Sequence, residues 1–238
     1  MHNIFMADVY RKRRVVIVFI SLLIFVFILI QNSPIQNNTT LPIRVDVADK
    51  NSVLAIDALK TLEIKGRAPK TDYSRDKFGN GWQSVTGCDM RNIILNRDLE
   101  KTIVDNKCNV TNGKLNDPYT SKIIEFTRGS DTSGAVQIDH VVALSDAWQK
   151  GAQLLSSEKR IQLANDPLEL LAVDGNANQE KSDSDAASWL PANKSFRCQY
   201  VARQIAVKQK YSLWVTEAEY DIMTTILSRC EGQILPIP

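Results

Sequence analysis

A chain of 238 residues with 44% hydrophobic and 24% charged residues carries enough apolar material for one sizeable core, which excludes a disordered or low-complexity protein. Its formal charge of +2 excludes a protein that holds nucleic acid by bulk charge alone. Arg11, Lys12, Arg13 and Arg14 account for that excess; beyond them basic and acidic residues nearly cancel, so any nucleic-acid partner must be held by a local patch.

In chain order, a basic flank (1–14) precedes an unbroken apolar run, VVIVFISLLIFVFILI, over 15–30. As a helix it rises about 24 Å, slightly short of the roughly 30 Å hydrocarbon core. It reads either as a cleaved secretory signal or as an uncleaved transmembrane anchor, and both export the rest of the chain because the positive flank stays in the cytoplasm. The adjoining QNSPIQNNTT lacks an A-x-A-like site, which favours the anchor. Residues 31–48 are polar and aperiodic, a linker, and 49–238 form the folded extracytoplasmic domain.

Cys88, Cys108, Cys198 and Cys230 all lie beyond the apolar run, so two disulfides are expected. Of three possible connectivities, Cys88 with Cys108 and Cys198 with Cys230 close local loops and are preferred. A zinc site is disfavoured, since no C-x-x-C or close Cys/His pair occurs.

SVLAIDALKTL (52–62) has helical apolar spacing behind an Asn51 or Ser52 cap, and a Gly- and Pro-containing loop runs on to Trp82. DMRNIILNRDL (89–99) reads as a short amphipathic helix. From 102 to 129, β-rich pieces alternate with the turn signals Asn112-Gly113 and Asp117-Pro118, a small antiparallel meander. AVQIDHVVAL places His140 at the end of a strand or in the turn beyond it. A helix over 157–166, a strand over 168–173 and a short polar helix within 174–183 come next. Two longer helices close the chain, one over about 195–211 and one opened by a Thr216/Glu219 capping box. The fold class is α+β.

His140 is the only histidine besides His2, and it follows Asp139 directly. Alone, an Asp-His pair is a weak motif. About thirty residues on, however, come a second strand and then N-x-x-K, Asn178 to Lys181, in a polar segment. Strand, connection, strand and short helix form one compact unit that sets Asp139 and His140 opposite Asn178.

This order, with the blocks YSRDKFG, GCDMRNIIL, TRGS, QIDHVVALSDAWQKGA, NDPLELLAVDGNANQEKSD and SWLP, resembles the HNH nucleases, also called ββα-metal or His-Me finger enzymes. More closely, it looks like the exported actinobacterial HNH endonuclease family proteins, related to the C-terminal nuclease domain of GmrSD-type restriction enzymes. The resemblance implies a ββα-metal core that hydrolyses phosphodiester bonds of nucleic acid, DNA rather than RNA, with one divalent cation, Mg²⁺ or else Mn²⁺ or Ca²⁺. It implies His140 as general base and Asp139 and Asn178 as metal ligands, with Lys181 and Arg128 placed to contact phosphate. A neutral imidazole and hard oxygen donors suit those roles.

One position departs from the pattern. Where the signature has a middle Asn, this chain has Glu169, which either substitutes by hydrogen bonding or sets a negative charge near the phosphate. The latter favours an alternative reading, a surface-displayed nucleic-acid or cell-wall binding module with little turnover. From 186 to 216 no acid occurs, while basic residues alternate with aromatics, a pattern that suits a phosphate backbone and stacked bases. Lys194, Arg197 and Lys208 share one helical side and are the candidate substrate contacts. No G-x-S-x-G, Walker A, G-x-G-x-x-G or H-E-x-x-H occurs.

Overall fold

The computed structural model describes residues 52–236; the basic flank, the apolar run at 15–30, the linker and Asn51 lie outside the described residues. Among them the chain is α+β, with seven α-helices and three small antiparallel sheets. Helix α1 (Ala55–Leu59) leads through an irregular segment to the two-residue strands β1 (Ser84–Val85) and β2 (Cys88–Asp89). Helix α2 (Met90–Asp98) is next, capped by Asp89, whose side chain accepts from the Asn92 N–H. The meander is β3 (Glu100–Val104), β4 (Val110–Asn116) and β5 (Ile123–Thr127), paired in that order.

Strand β6 (Val136–His140) ends at the expected histidine, and its partner β7 (Leu170–Asp174) returns antiparallel, with Asp139 opposite Leu171 and His140 opposite Leu170. Between them lie α3 (Leu144–Gln149) and α4 (Ser157–Ala164). Asp174 caps α5 (Gly175–Lys181) by accepting from the Ala177 N–H. Helices α6 (Arg197–Lys210) and α7 (Glu217–Leu227) close the domain, α7 with both bonds of the Thr216/Glu219 capping box. Both preferred disulfides form: Cys88–Cys108 staples β2 to the turn after β3, and Cys198–Cys230 ties α6 to the chain beyond α7.

Two local expectations are corrected. Asn112 and Gly113 lie inside β4 rather than in a turn; Gly113 is wanted there because a Cβ would sit 2.8 Å from a Leu99 methyl. The real turn is at 105–109, where the Asp105 carboxylate accepts from the Lys107 and Asn109 N–H groups. Helix α1 starts only at Ala55, with no side-chain cap, because Leu54 bridges antiparallel to Ile234. The run Val141–Leu144 leaves the strand and opens α3, in keeping with a strand that ends at His140.

The β6–β7 ribbon divides two cores. Val136, Ile138, Leu170 and Ala172 pack with Ile94 and Phe126 on one face, while Leu171 and Val173 belong to the larger core with Tyr200 and Ile205. Successive strand residues point to opposite faces. Asp139 faces the larger core and helix α5, while His140, at the strand's end, reaches the Ala164 carbonyl and lies beside Trp82.

A buried ionic group lies apart from this ribbon. Lys150 reaches Asp146, Asp185 and Glu219 within 2.8 Å, Lys208 reaches Glu219 at 3.0 Å, and Arg67 closes on Asp146 and Asp185. Three cations meet three carboxylates, so the group is neutral as a whole.

Candidate active site

His140 is almost wholly buried, at 6% exposure. Its Nε2 lies 3.0 Å from the Ala164 carbonyl oxygen, which can only accept, so Nε2 carries the hydrogen and Nδ1 keeps its lone pair. Burial holds the imidazole down to about 3, with the Arg75 charge adding to the effect, so the ring is neutral at physiological pH. The Trp82 ring lies nearly parallel to it, with centroids 5.7 Å apart.

The turn after His140 is clamped through a single peptide. Gln204 Nε2 donates to the Val141 carbonyl at 2.7 Å, and the Val142 N–H donates to Glu169 Oε2 at 3.2 Å. Glu169 is fully buried, and burial pushes its carboxyl well above the usual range. Burial therefore disfavours its charged form, and through Oε2 the residue that departs from the signature accepts a backbone N–H as an Asn oxygen would.

Asp139 does not present a free carboxylate. Oδ1 accepts from Lys181 Nζ at 2.9 Å and Oδ2 from the Tyr119 hydroxyl at 2.5 Å, while Lys181 also donates to the His140 carbonyl at 2.8 Å. Burial pushes the Asp139 carboxyl up against the pull of Lys181 and Tyr119. Lys181, fully buried, ties α5 to the end of β6 and is turned away from any phosphate.

Asn178 stands one turn earlier on α5. Its Nδ2 donates to Gln137 Oε1 at 2.9 Å, which leaves its amide oxygen without a protein partner among the described residues. His140 and Asn178 both line a polar hollow of about 500 Å³, with Arg75, Gln137, Ser145 and Asp183. No group of three or more His, Cys, Asp or Glu side chains among the described residues is spaced to cage a metal. The Asn178 amide oxygen and the Asp183 carboxylate that line the hollow are hard oxygen donors of the kind divalent cations take alongside water and substrate oxygens.

The other expected contacts lie elsewhere. Arg128 donates to the Val110 carbonyl and to the Asn92 side chain, bracing β4 against α2. Lys208 is fully buried in the ionic group beside Glu219, so it is removed from any substrate surface. Arg197 donates to the Pro191 carbonyl, and neither it nor the exposed Lys194 lines the hollows around His140. Arg203 spends its guanidinium on the carbonyls of Pro167, Leu168 and Leu170. The acid-free stretch is therefore mainly core and bracing.

In their place the structure brings up Arg75. It is exposed, borders the polar hollow and a second, aromatic one, and has no acid within ion-pair reach among the described residues. In the sequence Arg75 falls within the YSRDKFG block of the resemblance, with no role attached to it.

The profile of the GmrSD restriction endonuclease C-terminal domain matches residues 88–226, which include every element of this site except the Arg75–Trp82 loop. The chain belongs to the GmrSD C-terminal domain family. Its membership carries a nuclease-family domain. The chain is also 35% identical over 215 residues to a protein of Arthroderma benhamiae named only as an uncharacterized secreted protein, an alignment covering 89% of this chain and 98% of that one. No solved structure matches. Two disulfides, together with a secreted relative along nearly the whole chain, place this member of the family outside the reducing cytoplasm.

Proposed function

We propose that the chain is a metal-dependent endonuclease that hydrolyses phosphodiester bonds of DNA outside the cytoplasm, with β6, β7 and α5 as its ββα-metal core. The observation that carries this reading is the state of His140: a neutral imidazole, fixed through Nε2–H to a carbonyl, with the Nδ1 lone pair left over. It stands at a polar hollow that also holds the free amide oxygen of Asn178. Such a base takes a proton from water while the water oxygen forms a bond to phosphorus and the bond to the leaving sugar oxygen breaks.

Asn178 would hold one divalent cation, Mg²⁺ by its donor chemistry, with water and substrate oxygens completing the shell. When bound, the cation supplies charge stabilisation at the phosphate and leaving oxygens. Asp139 we assign to anchoring: with Lys181 it fixes the strand end that aims His140. Glu169, whose charged form burial disfavours, holds the next peptide through Oε2, and this supports turnover over the silent binding-module reading, which rested on a charge at that position. The segment 15–30 we read as the export signal or anchor, and 31–48 as the tether to the domain over 49–238.

The full chain incubated with circular single-stranded DNA and with supercoiled plasmid tests the reading. Cutting that requires Mg²⁺ or Mn²⁺ and stops with EDTA is expected; a protein that retards both DNAs and cuts neither with any divalent ion contradicts it.

A further inference from the structure

Two hollows meet at His140, and they differ in chemistry. The polar one, of about 500 Å³, carries Asn178, Gln137 and Asp183. The other encloses about 160 Å³ and is walled by Phe78, Trp82, Leu144 and the imidazole itself. Arg75 borders both. The aromatic hollow is built by the loop before β1: Gly79 and Gly81 adopt φ of +100° and +82°, which turns the chain so that half-buried Trp82 comes over His140. No Cβ narrows its rim at either glycine.

A cavity of about 150 Å³ lined by apolar side chains admits one benzene-sized ring. The aromatic hollow is of that size, too small for a sugar and phosphate with their base and too apolar for a phosphate alone. A planar ring stacked on Trp82 would lie parallel to the imidazole as well, because those two rings are within 7° of parallel. The adjoining polar hollow has the room and the polar lining for the backbone, and the unpaired Arg75 guanidinium stands on their common border, where a phosphate next to that base would fall.

Resting on the nuclease reading, we propose that the aromatic hollow is a nucleobase subsite: the base adjoining the scissile phosphate stacks on Trp82 while Arg75 binds the phosphate. A base inside a duplex is stacked on its neighbours and cannot enter. The preferred substrate is then DNA that is single-stranded or unpaired at the point of cleavage.

Binding of thymidine 3′,5′-bisphosphate and of the base-free deoxyribose 3′,5′-bisphosphate to the full chain in EDTA, by titration calorimetry, tests the subsite without turnover. Stacking of one base on an aromatic side chain predicts that the thymidine compound binds about 5- to 150-fold tighter. Trp82→Ala should erase that difference and leave the base-free compound unchanged, Trp82→Phe should keep most of it, and Arg75→Ala should weaken both compounds. Equal binding of the two by the wild type, or no binding of either, overturns the subsite. Cleavage with Mg²⁺ is scored separately on the same protein. DNA cut without a base increment sinks the subsite and leaves the nuclease; a base increment without cutting sinks the nuclease and leaves a nucleotide-binding site.

Discussion

Replacing Lys181 with Met removes the ammonium that lies 2.9 Å from Asp139 and 2.8 Å from the His140 carbonyl, and keeps the length of the side chain. Lys181 is fully buried and Asp139 nearly so, so the carboxylate is left in the interior with Tyr119 as its one remaining partner. Breaking a buried pair in this way costs about 3–5 kcal/mol, a large part of a domain stability of about 5–15 kcal/mol. The pH dependence has a fixed sign. Burial already holds the folded-state carboxyl of Asp139 above its unfolded value of about 3.9, and loss of Lys181 raises it further. A group raised in the folded state takes up a proton more readily there, so the penalty is full above the folded-state value and shrinks as pH falls towards the unfolded one. Urea unfolding of Lys181→Met and wild type, monitored by tryptophan fluorescence with disulfides intact, should show the deficit largest near pH 7.5 and smaller at pH 4.5. The double variant Asp139→Asn/Lys181→Met should recover most of it. A deficit below about 1 kcal/mol, or one equal at every pH, would refute the assignment of Lys181 as the counter-ion that holds the strand end.

Glu169→Gln supplies a neutral donor and acceptor permanently; because burial raises the Glu169 carboxyl, the variant should match wild type near pH 4 and gain on it as pH rises past about 4.3, and a constant difference between pH 4 and 8 would show Glu169 to be ionised. Gly175→Ala would put a Cβ 2.1 Å from the Gly134 carbonyl oxygen, so we expect a loss of about 1–3 kcal/mol and weaker Mn²⁺ binding as α5 shifts, read by thermal melting and by electron paramagnetic resonance; an unchanged melting temperature would contradict the contact. The double variant Cys198→Ser/Cys230→Ser opens a bridge between residues 32 apart and should cost about 4 kcal/mol in urea unfolding, whereas a cost under 1 kcal/mol would mean that packing of α6 on α7 suffices without it.

The parts of the fold written in local spacing were legible: the capped helices α2 and α7, the strand that ends at His140, the short helix after β7 and both disulfides. The illegible parts depended on partners far along the chain. The peptide between Val141 and Val142, beyond the strand's end, is held by Gln204 and Glu169, 63 and 27 residues away, which no local pattern announces. The Asp-His adjacency suggested a metal ligand beside a base; both residues do border the polar hollow, but the Asp139 carboxylate is taken up by Lys181 from α5 and by Tyr119. The basic-aromatic tract suggested a substrate surface. A linear pattern does not distinguish a cation bound for solvent from one that, like Lys208, is neutralised by a buried carboxylate on another helix. Arg75, though inside the YSRDKFG block, and Trp82 received no role because their loop has no periodicity; their positions depend on two positive-φ glycines and on the site they close over.

The central claim is that His140 acts as the base of a phosphodiester hydrolysis, and single-turnover cleavage of circular single-stranded DNA by the full chain in Mg²⁺, wild type beside His140→Ala, tests it most directly. The predicted result is a rate loss of about 10²- to 10⁴-fold in the variant, with its urea midpoint and Mn²⁺ binding close to wild type. Equal rates in the two proteins would contradict it, because the imidazole would then take no part in the step.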